Sequence, residues 1–246
     1  MSFIKGLIIS TGLSIALMPG GAFADGVMTP AAGPVPALDC NYRTVVCLVD
    51  EFWGGAPATG SIGELGWNTN GGSIARGGGA TNEPGLYTLA TGSSSETTAT
   101  IYTQGSASVF TPGSWDLIWR VILGTNDANT TVHVGMQDSV TTVTPTNGSY
   151  FQKLDADTNW FCVTRAEGSE TRTDSGVAVS TNAVVFRQVR TTSSRVAFFI
   201  NDVLVCSHTA TIHATNTNAV LAIKNSAAAN KTISTGYFNM RATVTR

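Results

Sequence analysis

Trp115-Asp116-Leu117-Ile118-Trp119-Arg120-Val121-Ile122-Leu123 is the stretch that decides the fold. Trp115, Leu117, Trp119, Val121 and Leu123 occupy every second position, and successive side chains of a strand point to opposite faces. The segment reads as a strand whose aromatic face looks inward. Val132, Val134 and Met136 alternate with His133, Gly135 and Gln137, giving a second strand with one apolar and one polar face. Val196–Ile200 and Val203–Val205 flank Asn201-Asp202. Asn and Asp tolerate positive φ, so this is a β-hairpin. Further strands are predicted near 85–91, 97–103, 148–154, 160–165, 183–191, 219–224 and 232–244. A dozen or so short strands separated by polar turns predict an all-β, two-sheet antiparallel sandwich.

Composition agrees. Charged residues make up only 12% of the 246 residues, and few stretches have the Leu/Glu/Lys/Arg/Ala density of long helices. The 14 basic and 16 acidic residues leave a net charge of −2. The basic residues are scattered, which gives no electrostatic footprint for nucleic acid. No long apolar run follows the N-terminal region, so no later membrane span is expected.

The N-terminus reads as a leader of residues 1–24. Lys5 supplies a positive start, Gly6–Met18 an apolar stretch, and Ala22-Phe23-Ala24 the small residues of a cleavage site before Asp25. Residues 25–43, rich in Pro, Ala and Gly, read as a linker. The folded domain is expected over 44–246. Four cysteines fit an exported, oxidised chain. Three pairings are possible; Cys40–Cys47 and Cys162–Cys206 are the favoured pair. The expected location is secreted, periplasmic or cell-surface, or a virion if the leader is not cleaved.

Several runs together resemble a known family. Asp50-Glu51-Phe52, Gly60–Trp67, Asn82–Gly85, Asn147–Phe151, Asp157–Phe161, Thr173–Val179, Phe199–Asp202 and Gly236-Tyr237-Phe238 resemble the concanavalin A-like jelly-roll domains of bacteriophage virion and tail-fibre proteins and related bacterial surface proteins. The resemblance spans roughly residues 50–246. It implies two packed, curved antiparallel sheets, with the concave sheet as the place where lectins and glucanases of this superfamily hold sugars. Fold does not fix function, so a site must be argued from its own residues.

Glycoside hydrolysis needs two facing carboxylates, and the Glu-x-Asp-x-x-Glu run of glucanases with this fold is absent from the sequence. Asp50 and Glu51 are neighbours and would point to opposite faces of a strand. Glu167 and Glu170 read as turn residues. Lyase chemistry would use Arg, Gln, His and Tyr on one sheet. Arg120, His133, Gln137, Tyr150 and Gln152 supply those types, without the family's Gln-Ile-His style triplet. Asp155-Ala156-Asp157-Thr158-Asn159 has the alternate oxygen spacing of a calcium loop, but Trp160 stands where glycine is required. Asp155, Asp157 and Asn159 are therefore the weak metal expectation, and calcium the one cofactor considered. Among the tryptophans, Trp160 is the one expected to be exposed.

The leading expectation is a glycan-binding, lectin-like module using Arg120, His133, Gln137, Gln152 and Trp160 on the concave sheet, with a glycan or cell-surface polysaccharide as partner. The alternatives are a structural assembly subunit of a virion, tail fibre or surface layer, forming a homo-oligomer or larger assembly, and a polysaccharide lyase or glycoside hydrolase on the same scaffold.

Overall fold

The structure is a computed structural model that describes residues 45–52, 62–63, 65–76, 85–103 and 113–243. The expected leader, the linker and Cys40 lie outside the described residues. Fifteen strands follow in chain order: β1 Val45–Asp50, β2 Asn68–Asn70, β3 Ser73–Arg76, β4 Tyr87–Ala90, β5 Thr98–Tyr102, β6 Trp115–Leu123, β7 Thr130–Gln137, β8 Gly148–Lys153, β9 Asn159–Ala166, β10 Ser169–Ala178, β11 Ala183–Thr192, β12 Arg195–Ile200, β13 Val203–His208, β14 Asn218–Asn225 and β15 Thr232–Thr243. All named pairings are antiparallel. One sheet has eight strands in the order β13-β12-β11-β6-β15-β4-β3, with β1 also paired to β15. The other has seven, in the order β10-β9-β8-β7-β14-β5-β2. The expected all-β sandwich is what the chain forms.

The core lies between the sheets. Leu117, Trp119 and Val121 of β6 face Val132, Val134 and Met136 of β7 across it, all buried. Trp67, Trp119 and Phe238 form an aromatic knot, with ring centroids 5.2, 4.6 and 4.8 Å apart. Such pairs add to simple area burial. Asp50 fastens the knot. Its buried carboxylate accepts from the Phe52 and Leu65 amides at 2.6 and 2.9 Å and from Trp67 Nε1 at 2.8 Å. Gly63, at φ +66°, passes so close that a Cβ there would stand 2.3 Å from Asp50 Oδ2. Asp50 and the glycine-rich turn before Trp67 are thus a structural staple.

The Asn201-Asp202 turn has both residues at positive φ, 49° and 65°, as a two-residue hairpin requires. Cys162 of β9 and Cys206 of β13 form the expected disulfide, with Cα atoms 6.4 Å apart, and it ties the two sheets together. Cys47 is also disulfide-bonded. Among the described residues, no helix is long and apolar enough to cross a membrane.

Candidate functional site

Alternation along β7, β8 and β9 sends Val132, Phe151 and Trp160 into the core. The intervening residues go to the outward face of the seven-stranded sheet. His133 pairs with Gln152, and Gln152 with Phe161, so these three share that outward face. Gln137 and Tyr150 lie on it too, and Arg172 reaches it from β10 opposite Val163.

These side chains form one directional hydrogen-bonded chain. Asp157 accepts from Arg172 Nη2. Arg172 Nε donates to Gln152 Oε1 at 2.8 Å. That orients the Gln152 amide so that its Nε2 donates to His133 Nε2 at 3.0 Å. His133 must then carry its proton on Nδ1, which donates to Gln137 Oε1 at 3.1 Å. Gln137 Nε2 finishes the chain on the carbonyls of Ser139 and Thr142, at 2.6 and 3.1 Å. Every member uses its donors and acceptors in one sense, so the polar groups can be buried at little cost.

His133 is only 1% exposed, and the Tyr150 ring stacks on it with centroids 4.3 Å apart. Burial holds the His133 pKa down at about 4, with Arg165 adding to the effect and the Gln137 hydrogen bond opposing it. Burial, assisted by Glu170, pushes the Tyr150 phenol up to about 12. Both are neutral at physiological pH. With both ring nitrogens committed, His133 offers no free lone pair to a substrate.

A roof explains this burial. The segment 138–147 between β7 and β8 folds over the outward face. Val143 and Val140 pack on Val220 and Ala222 of β14, and Thr100 Oγ1 donates to the Val140 carbonyl at 2.7 Å. Asp138 latches the return leg by accepting from the Thr146 and Asn147 amides and from Asn147 Nδ2, at 3.0, 2.9 and 3.0 Å.

The expected ligand residues therefore separate. His133, Gln137 and Gln152 meet, as expected, but under the roof. Arg120 does not join them: it is buried on the outward side of β6, in the other sheet. Trp160 is not exposed. It points inward at 1% exposure and meets Phe186 edge-on, with centroids 4.7 Å apart. The reason lies two residues away, because Cys162 must face the opposite sheet to reach Cys206, and Trp160 shares its side of β9. Phe161 takes the outward place instead.

What remains open to solvent is the strip along β9 and β10. The Arg172 guanidinium carbon lies 3.4 Å from the centroid of the Phe161 ring. Beside it, Asn159 Nδ2 donates to both Asp174 oxygens at 3.1 and 3.0 Å, and Arg165 pairs with Glu170 at 3.3 Å. Arg172 and Phe161 are the residues that reading the sequence overlooked. The alternation Phe161/Cys162, combined with the expected Cys162–Cys206 bond, was the signal that would have placed Phe161 outward.

The possible calcium loop is arranged around an internal cation. Buried Lys153 sends its Nζ to the carbonyl oxygens of Asp127, Thr130, Leu154 and Asp155, at 2.8, 2.8, 3.2 and 3.3 Å. The carboxylates go elsewhere: Asp155 accepts from Thr131 at 2.9 Å, Asp157 pairs with Arg172, and Asn159 holds Asp174. Among the described residues, no group of three or more His, Cys, Asp or Glu side chains could hold a metal ion.

No protein-family model and no curated protein matches the chain. Solved structures do. A protein of unknown function from Shewanella oneidensis MR-1 has a TM-score of 0.64 at 13% identity, covering 82% of this chain and 89% of that one. The Bacillus licheniformis β-glucanase has a TM-score of 0.56 at 13% identity, covering 81% and 98%. A structure from the endo-acting O-glycanases that members of the human gut microbiota express to initiate mucin breakdown has a TM-score of 0.59 at 9% identity, covering 80% and 99%. At such identities the likeness is one of fold, and by that measure the chain is a jelly-roll β-sandwich.

Proposed function

We propose that this chain is a glycan-binding module whose contact surface is the open strip of Phe161, Arg165, Glu170, Arg172 and Asp174 on β9 and β10. The observation that carries the reading is the anchoring of Arg172. Its guanidinium is fixed by Asp157 and Gln152 and laid against Phe161, so a planar donor is held ready at the surface. Preorganised polar groups beside an apolar ring are what sugar recognition requires, because little side-chain entropy is then lost on binding. The buried chain through His133 and Gln137 supports this surface from behind. Fold neighbours that include a β-glucanase and a mucin-directed O-glycanase make a saccharide a reasonable ligand class. A disulfide across the two sheets suits an oxidising, extracellular setting.

A glycan-array screen of the purified chain beside a Phe161→Ala, Arg172→Ala double variant tests the reading. Selective binding that the double variant loses at least tenfold, with the strand signature intact in circular dichroism, is the expected result. A well-folded chain that binds no glycan would overturn it and favour the assembly-subunit alternative.

A further inference from the structure

Among the described residues three large apolar side chains are exposed: Leu154 at 39%, Val203 at 63% and Leu204 at 53%. Val203 and Leu204 are neighbours at the start of β13, the outermost strand at one end of the eight-stranded sheet. β13 pairs with β12, and among the described residues no strand pairs with its other edge. Such an edge presents main-chain donors and acceptors to whatever strand comes beside it. Leu204 stands opposite Phe199, which carries an outward apolar pair to the margin of the sheet.

The other sheet margins are guarded. β10 carries Glu170, Arg172 and Asp174. β2 and β3 are only three and four residues long. β1 is half-buried at Val45, Cys47, Leu48 and Val49 and ends on buried Asp50. Charge, brevity and cover are the usual protections of an edge. From Val203 to Ser207, β13 has no charged residue and no proline. It is also held firmly from behind. Cys206 is bonded to Cys162, and His208 Nε2 and Thr173 Oγ1 are hydrogen-bonded at 2.9 Å. A partner strand therefore meets an edge already ordered, and little entropy is lost on pairing.

The charges at the two ends of β13 select the partner and its direction. Asp202 stands at the turn end. Exposed Arg195 reaches the other end, where its Nε donates to Ser207 Oγ at 2.9 Å. A second copy laid antiparallel brings Asp202 of each molecule toward Arg195 of the other, the self-complementary arrangement that a twofold axis requires. A parallel copy would set like charges together.

We propose that β13 is a homodimer interface, pairing antiparallel with β13 of a second copy so that one sheet runs through both molecules and Val203 and Leu204 leave water. The surface lies on the other sheet from the β9–β10 strip and does not rest on the glycan reading.

Sedimentation velocity of the purified chain from about 1 μM to about 1 mM, the span of moderate to weak association, provides the test. A monomer–dimer equilibrium is expected, with hydrogen exchange across 203–207 slowing as concentration rises. Leu204→Lys, at an exposed position that leaves the circular dichroism unchanged, should weaken the dimer about tenfold or more, because a lysine on an edge opposes pairing. Arg195→Glu should weaken it too, and adding Asp202→Asn to Arg195→Glu should recover part of the loss. The Phe161→Ala, Arg172→Ala variant should dimerise as the unaltered chain does. A chain that stays monomeric across the whole range would overturn the proposal. So would a dimer that Leu204→Lys and Arg195→Glu leave intact, since it would use another surface.

Discussion

His133 sits where a catalytic or ligand-binding histidine was expected, yet its surroundings assign it a structural role. Gln152 donates to one ring nitrogen, Gln137 accepts from the other, and Tyr150 covers the ring. The consequence is measurable through pH. An unfolded histidine titrates near 6.5, whereas His133 and His213 titrate near 4 in the folded chain. Between those values the unfolded state binds more protons. Stability is therefore held above pH 6.5 and lost as pH falls toward 4, by about 3 kcal/mol for each histidine. Urea midpoints should be flat from pH 8 to 7 and fall steadily below 6. The His133 ring resonances should show no titration above pH 5; a midpoint near 6.5 would mean that the buried chain of hydrogen bonds is not formed. Lys153 makes the same point with a second buried base. No spacing rule announces that a lysine will fill a cage of four carbonyl oxygens beside a calcium-like sequence.

Among the elements, the apolar strands were readable and the polar edge strand was not. β6 and β7 carry apolar residues at every second position because one face of each meets the core, and β11 alternates in burial as well. β10 has no buried position along its ten residues. As an edge strand its pairing to β9 is dictated by main-chain hydrogen bonds rather than by apolar burial, so Glu170 reads as a turn residue when it stands in a strand. The β9–β10 edge is secured instead by the Cys162–Cys206 bond, which closes a separation of 44 residues. Constraining a loop of that size in the unfolded chain contributes about 4 kcal/mol. A Cys162→Ala, Cys206→Ala variant should lose stability of that order in urea titration. Hydrogen exchange should quicken first in β9, β10 and β13; uniform loss across both sheets would show that this edge has no separate stability.

At the scale of the whole molecule, the decisive feature is that the sandwich covers part of its own outward face. The 138–147 roof turns His133, Gln137 and Gln152 from surface residues into supporting ones, and the β9–β10 strip stays open. Asp138 carries the latch through three accepted hydrogen bonds. Asp138→Ala should raise exchange rates across 139–147 and around Val220, with a cost of about 1–3 kcal/mol for the donors left unpaired. Unchanged exchange in that segment would show that the Val143 and Val140 packing holds the roof without Asp138. Arg190 is a second product of this scale: it is buried against the carbonyls of Thr192, Ser193 and His213, and among the described residues its Nη1 has no hydrogen-bond partner.

The sequence by itself determined the fold class, most strand positions and the Asn201-Asp202 hairpin, and it favoured Cys162–Cys206 among three possible pairings. These depend on short-range periodicity, turn chemistry and a small number of cysteines, all of which are written along the chain. Alternation alone also put His133 and Gln137 on one face of a strand; that Gln152 stands opposite His133 comes from the pairing of β7 with β8. The tertiary structure decided which face of β9 looks inward, which sheet carries Arg120, what covers His133 and what surrounds buried Arg190. Those outcomes depend on which sheet each strand joins and on a loop folding back across it. Contacts between distant segments leave no local period in the sequence, so they are settled only when the two sheets pack.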